Sequence, residues 1–190
     1  MNSKVIILAV LSIPIVYSCS SPEVDKKKSD KAFFPVNAQI ISELKQLDSL
    51  PLAIFRYKTT EGHTDTTIIT KAEFRDAVKT ILDADITGEK FQDMYTESVY
   101  MDQSINSITM TYIPVDEKSL VRKVDVYLDP ENDRMKQVYV ESIGAPSGDS
   151  TVLRKMLWAP GHYFQVTSLL GTKGNTSRVF MDKYSWESAH

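Results

Sequence analysis

One cysteine, Cys19, and three histidines are all the thiol and imidazole side chains that 190 residues offer. A lone cysteine allows no disulfide within the chain, so stability outside a reducing compartment has to come from a hydrophobic core. His63 and His162 each stand alone in turn-like sequence, with no cysteine or second histidine at ligand spacing. That excludes the usual zinc patterns. GxGxxG, the P-loop and HExxH are all missing, and with them the commonest dinucleotide, nucleotide and metalloprotease sites. No metal or other cofactor is expected. The formal net charge is −3, with no basic stripe of the kind nucleic acid requires. Beyond residue 16 no apolar run is long enough to cross a bilayer as a helix, which takes about 20 residues.

What is present begins with the address. Lys4 is followed by an apolar run, Val5 to Val16, broken only by Ser12 and carrying Pro14 near its end. A basic start, a short apolar core and small residues after it form the pattern of a secretory signal. Val16, Tyr17, Ser18 and Cys19 resemble the lipobox of bacterial lipoproteins, with Tyr17 departing from the small residue more usual there. The resemblance covers about twenty residues and implies a signal peptide over 1–18, cleavage before Cys19 and diacylglycerol, with further acyl chains such as palmitate, on Cys19. Several chains hold a protein firmly, since each buried methylene contributes about 0.8 kcal/mol. The competing readings of Cys19 are a buried apolar residue, a catalytic thiol or an intermolecular disulfide. The polar tract Ser20 to Lys31 favours none of the folded settings the first two need: apart from Val24 it has no large apolar residue. It cannot offset the entropy of ordering and reads as a tether over 19–31. Ser20 stands where some lipoproteins carry a retention aspartate. The resemblance therefore implies a cell-envelope protein, lipid-anchored in the outer membrane and facing either the periplasm or the outside.

Residues 32–190 fit one domain of ordinary size. Ile40, Ile41, Leu44 and Leu47 recur at helical spacing, with Asn37 as N-cap and Pro51 as stop. Leu52 to Thr60 and the "TDTTIIT" segment predict a hairpin turning at Glu61-Gly62. Thr70 and Glu73 make a capping box ahead of the stripe Phe74, Ala77, Val78, Ile81 and Leu82, which predicts a helix from Thr70 to about Asp83. A shorter helix is expected next, with Phe91, Met94 and Tyr95 inward. From Glu97 onward, alternating segments separated by short turns predict an up-and-down antiparallel sheet. Ile108, Met110, Tyr112, Val124, Val126 and Leu128 fall to one face, and Lys123, Asp125 and Tyr127 to the other, solvated one. The expected class is α+β: N-terminal helices packed on a curved, mostly antiparallel sheet resembling a half-barrel.

Candidate sites are few. Asp83, Asp85, Thr87 and Gly88 follow the first half of a calcium loop, but Met94 stands where the closing glutamate belongs. Ser150 and His190 have the residue types of a hydrolase pair, yet Ser150 falls between two predicted strands rather than on a nucleophile elbow. The acidic turn at Asp129, Glu131 and Asp133 reads as a solvated hairpin end. The C-terminal strands are rich in large adaptable side chains: Met156, Trp158, Tyr163, Phe164, Phe180, Met181, Tyr184 and Trp186. These are either the core against which the helices pack or, at Met156, Trp158, Phe164 and Phe180, the wall of a pocket for a hydrophobic ligand. The leading functional expectation is a non-catalytic lipoprotein serving as adaptor or accessory subunit of an outer-membrane assembly. The alternative is a carrier or sensor with a hydrophobic ligand held between sheet and helices.

Overall fold

The computed structural model describes residues 32–144, 150–172 and 175–186. The signal, Cys19 and the tether fall outside the described residues, as do Gly148, Asp149 and His190. The described part runs helix α1 (Val36–Ser49), strands β1 (Ile54–Thr60) and β2 (His63–Ile69), helix α2 (Lys71–Leu82), and a single 3-10 turn at Glu89–Phe91. Seven strands follow: β3 (Tyr95–Asp102), β4 (Ser107–Pro114), β5 (Val121–Leu128), β6 (Met135–Ile143), β7 (Ser150–Ala159), β8 (Tyr163–Thr172) and β9 (Asn175–Ser185).

All nine strands join one open antiparallel sheet, in the order β2-β1-β9-β8-β7-β6-β5-β4-β3. Strands β3 to β9 form the expected meander. The N-terminal hairpin adds to its far side through β1, which pairs with β9 in the register Phe55↔Ser185 to Thr60↔Phe180. That long-range pairing has no local signal in the sequence. The β1–β2 turn uses Glu61 and Gly62, both at positive φ, which matches the twist of a tight hairpin. The sheet dominates more than the sequence suggests: among the described residues only two helices and a 3-10 turn accompany it.

Period-two alternation sorts the strands into two faces. Tyr112, Val124, Val126, Val138, Val140, Met156, Trp158, Phe164 and Tyr184 are buried on one of them, with Ile40, Leu47, Phe74, Val78 and Ile81 of the helices in the same core. Helix α2 starts as its capping box requires: Thr70 Oγ1 accepts from the Glu73 amide and Glu73 returns a bond to the Thr70 amide. Helix α1 departs from expectation. Its N-cap position is Pro35, without a side-chain bond, and Asn37 instead donates its Nδ2 to the Leu82 carbonyl at the end of α2, at 2.8 Å. Ile41 is exposed rather than inward. At the other end, Lys71 donates to the Leu47, Asp48 and Leu50 carbonyls at 2.9, 2.9 and 2.6 Å. The two helices are thus tied antiparallel, each closing the carbonyl end of the other. Lys71→Met is expected to lower stability by about 1 kcal/mol through these lost bonds, read as a shift of the urea midpoint.

Tyr112 joins the helix entry to the sheet. Its hydroxyl donates to Glu97 Oε1 at 2.9 Å and accepts from the Phe34 amide at 3.1 Å, while Phe33 packs on its ring. Burial, reinforced by the Glu97 carboxylate, raises this hydroxyl well above the ordinary tyrosine value. Burial also raises Tyr95, Tyr127, Tyr139 and Tyr184. The folded state therefore keeps these protons at a pH where the unfolded chain has begun to lose them. Their contribution is complete below about pH 10, the unperturbed tyrosine value, and falls as pH rises beyond it. Urea midpoints measured from about pH 8 to 11 should drop steeply in the wild type and less steeply in Tyr112→Phe.

The 3-10 turn replaces the expected second helix. Phe91 packs on the core and Tyr95 is buried, but Met94 is exposed. Asp125, placed by alternation on the solvated face, is only 4 % exposed there. Thr111 donates to it at 2.7 Å, Lys123 pairs with it at 2.7 Å, and Tyr139 faces it across the β5–β6 register.

Candidate functional site: two clefts at the helix–sheet seam

The aromatic interior is closed. Trp158 is surrounded by Phe164 at 5.8 Å, Trp186 at 5.2 Å and Phe74 at 6.3 Å between ring centroids. Phe74 also meets Tyr184 at 5.7 Å and Trp186 at 5.0 Å, and Phe164 stacks on Tyr184 at 5.9 Å. Met156, Trp158 and Phe164 have no exposed surface. The structure thus brings Met156, Trp158 and Phe164, three of the four candidate ligand residues, into one buried cluster with Phe74 of α2. Phe180 is apart from them: half-buried, it lies across from Thr60 of β1 and Ser168 of β8. The Trp158 indole N–H donates to Glu43 Oε2 of α1 at 2.9 Å, and the Gly161 amide donates to the same carboxylate. That satisfies the polar atom of Trp158.

Open space occurs instead where the helix pair meets the ends of the strands. One cleft, of about 450 Å³, lies beside α1 and is lined by Gln39, Ser42, Glu43, Gln46, Arg134 and Gly161, among others. Its walls are mostly polar. The second, of about 310 Å³, lies against the last turn of α2 and is lined by Thr80, Asp83, Ala84, Leu120, Val121, Ser142, Ile143, Gly144 and Arg154. Here apolar and polar groups alternate round the wall.

The wall segments of the second cleft are fixed by backbone bonds. The Ile143 amide donates to the Leu120 carbonyl at 2.7 Å, and the Gly144 amide to Val152 at 2.8 Å. Arg154 lies opposite Ser142 in the β6–β7 register. A Cβ at position 144 would come 3.0 Å from Arg154 Nη1, so the absence of a side chain there lets the guanidinium lie along bare backbone. Sequence reading missed this residue, because one arginine in an alternating strand is indistinguishable from a solvated charge until the glycine and the helix end are placed beside it.

The other sequence candidates among the described residues lie in turns and at strand ends. Asp85 Oδ1 accepts from the Thr87 amide at 2.9 Å and the Thr87 hydroxyl at 2.7 Å, so the first half of the calcium-like loop closes on itself as an Asx turn. No cluster of metal-ligating side chains occurs among the described residues. Asp129 accepts from the Glu131 amide at 2.8 Å in its hairpin turn, and Asp133 is at positive φ. His63 opens β2 rather than lying in the turn, with Asp65 at 3.3 Å. Ser150 opens β7.

No family model matches the chain, and no curated protein matches it. Among solved structures it is similar to an S-type phycobiliprotein lyase, CPES, from Guillardia theta, at 10% sequence identity and a TM-score of 0.25, over 89% of this chain and 99% of that one.

Proposed function

We propose that this chain is a non-catalytic, lipid-anchored carrier or sensor of the cell envelope, taking a small ligand with an apolar part at the seam between helices and sheet. The observation that carries it is the pair of clefts of about 310 and 450 Å³ at that seam, beside an interior that is already filled. Ligand sites typically occupy about 300–1,000 Å³, with apolar walls and a few placed polar groups. The cleft at α2 sets the apolar Ala84, Leu120, Val121 and Ile143 against the polar Asp83, Arg154, Ser142 and Thr80.

The nine strands are best read as a half-barrel wrapped around the helix pair, giving the α+β class. Buried core residues extend across the sheet from Tyr112 on β4 to Ile54 on β1. At about 4.8 Å between strands that span is roughly 29 Å if flat, whereas two helices of about 10 Å diameter cover only some 20 Å. Curvature closes the difference and leaves seams at the strand ends.

The adaptor reading keeps one observation in its favour. Strand β3 is a sheet edge, and Val99, Met101, Val115 and Leu120 expose 56, 48, 67 and 58 % of their surface along it and at the adjoining strand ends. Unprotected apolar edges are sites of strand addition by partners. Native mass spectrometry of residues 30 to 190 separates the readings, since the compact unit begins at Ala32. An added mass that leaves on organic extraction supports the carrier. A clean apo mass, with partners captured by crosslinking in the native membrane, would replace it with the adaptor.

A further inference from the structure

Resting on the carrier reading, we infer that the cleft at the end of α2 binds a small zwitterion with an apolar side group, of the amino-acid or short-peptide class, its carboxylate on Arg154 and its ammonium toward Asp83. Arg154 and Asp83 line the same 310 Å³ space. No ion pair joins them, and neither hydrogen-bonds another side chain among the described residues, although Asp83 lies close enough to Lys79 to interact with its charge. Two opposite charges left apart in one cleft define a recognition pattern for a ligand that carries both.

Each wall reinforces its charge. Arg154 presents a planar fork that matches a carboxylate bidentately, and it rests on the backbone of Gly144 without a side chain between. Asp83 is the C-cap of α2, where the partial negative charge of the helix end favours a cation. Lys79, one turn back, offsets part of the field of Asp83, but its ammonium is held chiefly by Asp76 at 2.7 Å. Thr80 and Ser142 supply hydroxyls, and Ala84, Leu120, Val121 and Ile143 supply the apolar surface for a side group. A purely hydrophobic ligand would leave Arg154 unpaired and desolvated, which is unfavourable. A simple anion would lie against Asp83 and the helix carbonyls.

The test is calorimetric titration of the mature protein, extracted in mild detergent, with leucine, with 4-methylpentanoate, which lacks the ammonium, and with 3-methylbutylamine, which lacks the carboxylate. Leucyl-leucine serves as a longer probe. The expected result is tenfold or tighter binding of leucine or the dipeptide over both singly charged analogues. Arg154→Gln should bring leucine down to the level of the amine, Asp83→Asn to the level of the acid, and Arg154→Lys to a value between. Equal affinity for leucine and either analogue would overturn the inference, as would absence of binding by both leucine and the dipeptide. These comparisons on the wild type require no variant to fold. If purified protein retains a native ligand equally in wild type and Arg154→Gln, the carrier reading stands and this site is wrong.

Discussion

Trp158→Ala is expected to lower stability by about 3–5 kcal/mol, the range for truncating a buried aromatic. That is a large share of what a single domain possesses. Trp158 has no exposed surface, contacts Phe74, Phe164 and Trp186, and its indole N–H holds Glu43 on α1. The substitution therefore opens a cavity and releases a helix from the sheet together. Trp158→Phe keeps most of the apolar volume and drops the bond to Glu43, which retains the Gly161 amide, so about 1–3 kcal/mol is expected from the loss of a bond to a charged acceptor. Urea denaturation followed by circular dichroism reads both. The pair of variants also decides what the aromatic cluster is for. A ligand-lining tryptophan could be shortened with loss of binding and little loss of stability. A core tryptophan behaves in the opposite way, as its packing implies here.

The second large effect concerns the proposed anchor. Cys19→Ser removes the thiol to which diacylglycerol would be attached, and with it the apolar chains that hold the protein to a bilayer. The protein is expected to move almost entirely from the membrane pellet to the soluble fraction on cell fractionation, with the domain unchanged by circular dichroism. If the variant still sediments with membranes, the lipid anchor is not what holds it, and the sheet's exposed edge or a partner would have to. Metabolic labelling with a palmitate analogue gives the same answer chemically: incorporation into wild type and none into Cys19→Ser.

Elements governed by short-range rules were legible from sequence. The box at Thr70 and Glu73 fixed the start of α2, alternation placed β4 to β9, and Glu61-Gly62 marked its hairpin. Features governed by distant contacts were not. Asn37 has the chemistry of an N-cap, yet the Leu82 carbonyl of a helix 45 residues away takes its amide. Asp125 follows the polar phase of β5, yet flanking side chains on β4 and β6 enclose it. The pairing of β1 with β9 joins residues 120 to 130 apart, and no local pattern announces it. The aromatic strands had two readings in sequence because core and pocket call for the same residues. Only packing against Phe74 separates them. Arg154 became visible as a candidate only when Gly144, the end of α2 and the Leu120–Ile143 bond were seen round it.

A ligand held at the proposed helix–sheet seam, with the aromatic interior closed, should leave a pattern in amide exchange. Amide hydrogen exchange compares the protein as purified with the same protein stripped of small molecules by denaturation and refolding. Slower exchange is expected in the as-purified form at Thr80 to Ala84, Leu120 and Val121, and Ser142 to Gly144, with Met156 to Phe164 equally protected in both forms. Protection confined to Met156–Phe164 would contradict it by placing the ligand in the interior, and identical exchange in the two forms throughout would contradict it by leaving no ligand to place.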